Sequence, residues 1–499
     1  MELQFHKTEC PCLRQIKWEV QNQEQTQEVR LEDGMPDIGR VLGAWGQVLM
    51  RGKEWRSGSM QVSGGVMVWV MYAPEDGGQS QCVEVWMPFQ MKWDLPDTER
   101  DGTIRAICRI RSVDARSIAA RKLMVRTTVS VLAEALAPAE EELFVPPDVP
   151  EDVQLLRSTY PLRLPKEAGE KPFAIEETLT LPGSMTPMEK ILRCSLQPEI
   201  VDQKVMGDKV VFRGSGMLHM LYRGTDDNLY SWDFEMPFSQ YAELENTYGQ
   251  DAAAYIAPAV TGLELDRDEE GQLRVKAGLT GQYVIHDRQM IEVAEDAYSP
   301  KRKVTPKMVR SQIPMVLDES SQTIHAEQSV PVEGTRVADL AFYPEHGRVT
   351  RGDSGAVIEM PGQFQMLYYD MEGNLQSVMQ HWEDTWEIPA APDTVTQAAV
   401  WPSGMPQGAM GGGNAGLRAD ILLNTMTLGQ QGISMMSALE LGELEETDPG
   451  RPSLILRKTG NNRLWDLAKD SGSTVQAIQE ANRLTGEPDG EQMLLIPVS

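Results

Sequence analysis

The chain has 499 residues, enough for about three domains of ordinary size, and its 41% hydrophobic and 24% charged residues are normal globular usage, which excludes wholesale disorder. Lys and Arg total 46 against 74 Asp and Glu, a formal charge of −28. Such a surface repels phosphate backbones and anionic lipid, so a nucleic-acid or membrane-surface partner is not expected without a local basic patch.

The N-terminal residues MELQFHKTECPCLRQ lack the apolar core and small-residue cleavage site of a secretory signal. The longest apolar stretches, such as residues 66–72, fall far short of the ~20 residues of a membrane span. A cytoplasmic location without a signal peptide is therefore expected. Five cysteines (Cys10, Cys12, Cys82, Cys108, Cys194) are odd in number and scattered, which is no disulfide framework and fits a reducing compartment. Cys10-Pro11-Cys12 has no second Cys/His pair at ligand spacing, so no metal is expected there.

Self-similarity organises the chain. Residues 217–238 (MLHMLYRGTDDNLYSWDFEMPF) and 364–389 (FQMLYYDMEGNLQSVMQHWEDTWEIP) share Met-Leu-Tyr and an Asn-Leu at the same offset. A looser copy at 66–89 shares the Tyr and a closing Pro-Phe. Tyr72, Tyr222 and Tyr368 are 150 and 146 positions apart; Met35 and Met185, like Glu177 and Glu327, keep the 150 spacing. In each copy a glycine (Gly65, Gly216, Gly362) precedes an apolar run, a Gly/Asp/Asn turn and a second run, the pattern of a β-hairpin. Further hairpins are expected at 104–132, 260–285 and 417–441. Many short strands and few helical stretches predict a mainly β fold of three β-sandwich-like modules, at 1–140, 141–320 (with an N-terminal linker) and 321–447. Trp69, Trp86, Trp232, Trp382 and Trp386 are expected as core filler. Residues 138–172, with seven prolines and Glu140-Glu141-Glu142, are expected as an extended hydrated linker, and 299–320 and 445–452 as shorter ones. The short basic run Lys301-Arg302-Lys303, with Lys307 and Arg310, lies in one of them and carries no aromatic residues. The Gly/Pro stretch 402–416 is expected as a flexible loop.

The last part, 452–499, changes character. Leu454 to Leu456 predicts a short strand, and Leu464, Trp465, Leu467 and Ala468 fall at helical spacing. Ser473 with Gln476 forms a capping box for a second helix whose apolar face is Val475, Ile478 and Ala481. Met493 to Ile496 predicts a closing strand. This strand–helix–helix–strand order, with Leu464-Trp465-Asp466-Leu467-Ala468, Ala481-Asn482 and Leu495-Ile496-Pro497, resembles a LysM domain, a small α/β fold. The resemblance implies a groove for N-acetylglucosamine-containing glycan (peptidoglycan) or a protein partner, formed by Gly460, Asn461, Asn462, Arg463 and Leu464 facing Asn482, Leu484, Gly490, Glu491 and Gln492. Asn461-Asn462-Arg463 replaces the family's Gly-Asp-Thr, and Asp489-Gly490-Glu491-Gln492 replaces its Pro-Gly-Gln, which points to a protein rather than a sugar.

The repeats, with GQYVIHDRQMIEVAEDAYSP at 281–300 and ARKLMVRTTVSV at 120–131, resemble the SPOCS domain. Several SPOCS modules followed by a C-terminal LysM domain is the layout of SipL-type spore coat morphogenesis proteins. That resemblance implies a non-enzymatic adaptor in the mother-cell cytoplasm, at the forespore surface, that binds a coat morphogenetic ATPase. Other motifs carry less. Six scattered histidines include no paired metal ligands. Gly411, Gly413 and Gly416 match a dinucleotide fingerprint without its strand and helix, and Asp266 to Ala277 lacks the closing glutamate of a calcium loop. Arg351-Gly352-Asp353 is expected as a turn, and Gly214-Ser215-Gly216 lacks the flanks of a nucleophile elbow. No catalytic set and no cofactor motif can be assembled, so an enzyme is not expected.

Overall fold

A computed structural model describes residues 1–98, 100–267, 272–353, 355–445, 452–460, 462–488 and 490–498. Strands make up 77% of the fold and helices 3%. The first part contains β1 (Glu2–Gln4), β2 (His6–Arg30), β3 (Ile38–Arg56), β4 (Ser59–Pro74), β5 (Gln81–Asp94), β6 (Thr103–Ala119) and β7 (Lys122–Val145). Antiparallel sheets β2-β7-β6 and β3-β4-β5 face each other across a core that includes Val62, Val68, Tyr72, Met87, Trp93 and Val125. The strands follow from alternation: β5 buries Val85, Met87, Phe89, Met91 and Trp93 and exposes the residues between them, which covers one face and wets the other.

The second part repeats this arrangement. It contains β8 (Gln154–Leu179), β9 (Met188–Gly224), β10 (Leu229–Tyr248), β11 (Ala253–Arg267) and β12 (Leu273–Tyr298), in sheets β8-β12-β11 and β9-β10. β9 spans the stretch that β3 and β4 span in the first part and bends at Gly207, whose φ of 66° favours glycine. The third part contains β13 (Arg302–Val330), β14 (Arg336–Pro344), β15 (Arg348–Arg351), β16 (Gly355–Tyr369), β17 (Leu375–Pro389), β18 (Val395–Gly411) and β19 (Asn414–Leu444). Here β13-β19-β18 faces a sheet centred on β16, and β1 adds to β19. The Tyr72 hydroxyl donates to Pro36 O (2.9 Å) and the Tyr222 hydroxyl to Thr186 O (3.2 Å), 150 positions on. Tyr368 is only half-buried. Trp69, Trp232 and Trp382 are buried, Trp386 is half-buried and Trp86 is exposed; the deepest indoles are Trp45 and Trp93.

The three sheet pairs pack against one another with pseudo-threefold regularity. Met71, Leu221 and Leu367 share one cluster, and Leu143, Val293 and Met435 share another. Between them lie Ile107, Ala257 and the half-buried Ala399. One junction is ionic. Asp339, fully buried on β14, meets Arg193 (3.0 Å) and His219 Nε2 (2.7 Å) of β9, and His219 Nδ1 meets Asp233 (2.6 Å). The Arg193 guanidinium also lies 5.6 Å from the Trp45 ring of the first part, so one cation joins all three.

Several local expectations fail. Residues 138–145 belong to β7, 154–172 to β8 and 302–320 to β13, so the stretches expected as linkers are mostly paired strand. Glu141 is buried against Arg14 (2.7 Å) instead of being solvated. The basic run lies at the start of β13, where Arg302 pairs with Asp152 (2.5 Å) and Lys307 with Glu2 (2.8 Å). The sheets therefore divide near 145–154 and 298–302, not at 140 and 320. Proline lacks a donor but still fits a strand where its neighbour demands no hydrogen bond, and pairing across the chain outweighs local composition. Residues 402–416 form the closed end of the β18–β19 hairpin and turn at Gly412 and Gly413. Of the 445–452 linker, 446–451 lie outside the described residues, as do 268–271 of the calcium-like stretch and Ser354 beside Arg351-Gly352-Asp353. Gly214-Ser215-Gly216 pairs with β10 inside a strand. Cys10 and Cys12 are buried in a shared core, and burial pushes the Cys12 thiol up to about 11. No helix among the described residues is long and apolar enough to cross a membrane.

Candidate partner-binding site in the C-terminal unit

The C-terminal unit consists of β20 (Leu454–Lys458), α1 (Leu464–Ser471), α2 (Val475–Asn482) and β21 (Met493–Pro497), with β20 antiparallel to β21. Helix α1 forms because Leu464, Trp465, Leu467 and Ala468 make one buried face. Arg463 stands at its N-cap but makes no capping bond; the Glu487 carboxylate accepts from the Leu464 N–H (2.9 Å) instead. Gly472, at φ 64°, ends the helix. Thr474 caps α2, its Oγ1 accepting from Ala477 N (3.1 Å), so the cap lies one residue beyond Ser473. Ile478 is the buried residue of α2; Ala481 is exposed and Leu484 packs on the core in its place.

The expected groove residues separate into three groups. Thr459 staples two loops: its N–H donates to Gln492 O (2.9 Å), its hydroxyl to Gly490 O (3.3 Å), and Gln492 N donates back to Thr459 Oγ1 (3.0 Å). This sets Gly460, Asn462 and Arg463 beside Gly490, Glu491 and Gln492. Gly460 and Gly490 take left-handed φ values of 54° and 79° at these turns. Leu464 and Leu484 belong to the core. Asn482 does not face the loop: its Nδ2 donates to Ile478 O (2.8 Å) and Leu495 O (2.6 Å), and its Oδ1 accepts from Leu495 N (2.8 Å), tying α2 to β21. Asn461 lies outside the described residues.

Charge on the rim is locally paired. Arg463 is exposed and bonded to Asp466 (3.3 Å), which raises its already high pKa. Lys458 pairs with Glu491. The exposed face of the β20–β21 ribbon, which Lys458 shares at one end, is otherwise apolar and uncovered. Leu454, Leu456, Met493 and Leu495 alternate onto one face and are 51%, 61%, 54% and 39% exposed. Four large aliphatic side chains adjoining in the open are unusual for a face with no partner.

The unit is docked rather than tethered. The Trp465 indole N–H donates to Asp296 (2.9 Å), Lys469 pairs with the same carboxylate (2.7 Å), and the Tyr298 hydroxyl donates to Ser473 O (3.0 Å). Tyr298 and Trp465 stack edge to face at 4.8 Å. Burial would raise the Asp296 pKa, but Lys469 and Trp465 hold it below the ordinary value. Trp465 is thus both core and docking contact. Sequence reasoning missed Thr459, Glu487, Asp296 and Tyr298. An isolated acidic residue carries no local signal of the partner it will meet.

These features define an all-β protein of three packed sheet pairs carrying a small docked helical unit. Residues 187–266, which cover nearly all of β9 to β11, match the family model for the SipL, SPOCS domain, a sporulation-associated domain. Comparison with curated proteins and with solved structures gives no match.

Proposed function

We propose that this chain is a non-enzymatic adaptor in endospore coat assembly that holds a coat morphogenetic ATPase at the forespore surface, from the mother-cell cytoplasm, through its C-terminal LysM-like unit. The SPOCS match supports a sporulation role. The observation that carries the partner assignment is the uncovered face of Leu454, Leu456, Met493 and Leu495. Covering an apolar face of this kind stabilises a complex by roughly 25 cal/mol per Å2 buried, and Arg463 on the adjoining loop is a residue type favoured at interface hot spots. The test is co-precipitation of the purified full chain with the purified ATPase. Leu456→Asp with Leu495→Asp, and separately Asn462→Ala with Arg463→Ala, should each weaken binding by about thirty-fold or more, ~2 kcal/mol. Undiminished binding in both variants sinks the assignment.

A second reading, peptidoglycan glycan binding, is favoured by the two loops that Thr459 holds side by side. It requires sedimentation of the chain with purified peptidoglycan, lost on the Asn462→Ala, Arg463→Ala change and kept on the Leu456→Asp, Leu495→Asp change.

A further inference from the structure

We propose that the cleft where the second and third sheet pairs meet, walled on one side by Trp18, Arg105 and Ile107 of the first, is a binding site for a neutral carbohydrate, separate from the C-terminal partner site. Internal repetition shows how the cleft arises. The cross-strand pairs Ile107–Leu132, Ala257–Gln282 and Ala399–Asn424 hold corresponding places in the three parts. The first two pairs are buried. Gln282 reaches into the first part: its Nε2 donates to Ala106 O (2.8 Å), and its Oε1 accepts from Ala106 N (2.9 Å) and Lys53 Nζ (2.8 Å). The two hydrogen bonds to the Ala106 backbone seal the first junction. Leu132 closes its own side by apolar contact.

The third pair is only half-buried. Asn424 is one methylene shorter than Gln282, and its Oδ1 accepts from Ser321 of its own sheet (2.8 Å). The Ile256 amide, in the place of Ala106, is taken by Gln203 of its own sheet pair (2.9 Å). The seal seen at the first junction is missing, and a cleft of about 560 Å3 opens there. That is the size of a small-ligand site, ~300–1,000 Å3, not of a packing defect.

The walls choose the ligand class. Charges along them are already satisfied: Asp202 by Arg213 (2.5 Å), Glu319 by Arg163 (2.9 Å) and Arg105 by Glu134 (2.6 Å). Glu199 accepts from the Ser403 hydroxyl (2.8 Å). Among the described residues an anionic ligand would find no free cation, and the carboxylate of Glu199, which meets only the Ser403 hydroxyl and the Gly404 N–H, is left to accept from a further hydroxyl. What remains is aromatic surface from Trp18, Tyr255 and Trp401, the last two also packed against His286 and Arg109, beside the amide nitrogens of Gln203 and Asn424; Gln397 is buried and spends both amide atoms on Gln15. The indole N–H groups of Trp18 and Trp401 have no hydrogen-bond partner among the described residues. Aromatic rings beside neutral donors and acceptors suit a pyranose, which has apolar C–H faces and hydroxyls that both donate and accept.

The test titrates the full chain with neutral tetrasaccharides of glucose and of N-acetylglucosamine, followed by intrinsic tryptophan fluorescence and calorimetry. At least one should bind saturably. Trp401→Leu should weaken binding at least about tenfold, ~1.4 kcal/mol. Asn424→Gln, which restores the reach of Gln282, should do the same, and it keeps the test valid if Trp401→Leu fails to fold. Asn462→Ala with Arg463→Ala in the C-terminal unit should leave the affinity unchanged. No binding at millimolar sugar overturns the proposal. So does binding lost only in the C-terminal variant, which would instead support the second functional reading. Capture of a cationic peptide in place of sugar, lost on Asn424→Gln, overturns the carbohydrate assignment.

Discussion

Replacing Asp339 with Ala is expected to unlock the ionic junction between the second and third sheet pairs. The Asp339 carboxylate is fully buried, and the Arg193 side chain it meets is 4% exposed. Removing one member of a buried pair leaves the other charge uncompensated, at a cost of ~3–5 kcal/mol. The Trp45 ring, 5.6 Å from the Arg193 guanidinium, remains and offsets ~0.5–2 kcal/mol of this. His219 can release its proton, so it adds less. The net expectation is a loss of ~1–4.5 kcal/mol, read as a shift of the urea midpoint followed by circular dichroism and tryptophan fluorescence together. Arg193→Met combined with Asp339→Leu should recover most of the loss, because an apolar pair carries no desolvation penalty. A single-variant loss below ~1 kcal/mol, or a double variant as weak as the single, would refute the ionic account. The pH profile gives a second reading. Burial pushes the His219 pKa down, but Asp339 and Asp233 outweigh it and raise the pKa above 6.5. Its stabilisation is therefore complete below the unfolded value and fades as pH rises through the folded one. Burial would raise the Asp339 pKa, yet Arg193 and His219 hold it at about 2 against 3.8. Its share is present above the unfolded value and fades as pH falls toward 2. In Asp339→Ala the His219 contribution to the loss at rising pH should shrink.

Asn482→Ala removes two hydrogen bonds between α2 and β21 and one within α2, and should cost the C-terminal unit ~2–3 kcal/mol; hydrogen exchange at residues 493–497 should accelerate, and unchanged protection would show that the clamp is dispensable. Asp296→Ala removes the shared acceptor of Trp465 and Lys469, so limited proteolysis should release the C-terminal unit faster from the full chain; an unchanged rate would mean that Tyr298 suffices for docking. Gly214→Ala would place a Cβ 1.9 Å from the Glu199 carbonyl oxygen, forcing β9 apart at a cost of at least ~2 kcal/mol; a thermal midpoint equal to the parent chain would contradict the close approach.

Features set by neighbouring residues were legible in the sequence. The alternation of β5, the helical spacing of Leu464 to Ala468 and the glycine turns follow from side-chain period and backbone sterics alone. The repeat spacing likewise foretold the corresponding positions of Tyr72 and Tyr222. The strand character of 138–145 and 302–320 was hidden, because proline and acidic content describe a segment in water, whereas these segments are held by partners more than a hundred positions away. The groove was partly legible: the spacing of the two loops emerged, but Asn482 proved to be a clamp, since an amide can satisfy backbone groups on either side and its spacing does not say which. Asp339 looks unremarkable in RVADLAFYP, yet it is the anion on which Arg193 and His219 converge. The junctions were likewise decided only by assembly. Gln282 and Asn424 occupy corresponding strand positions and differ by one methylene, and whether that length closes a junction or leaves a cleft depends on a backbone amide presented by another part of the chain. Local sterics act within a few residues of sequence, while burial of charge and closure of interfaces depend on distances that exist only once the three sheet pairs have met.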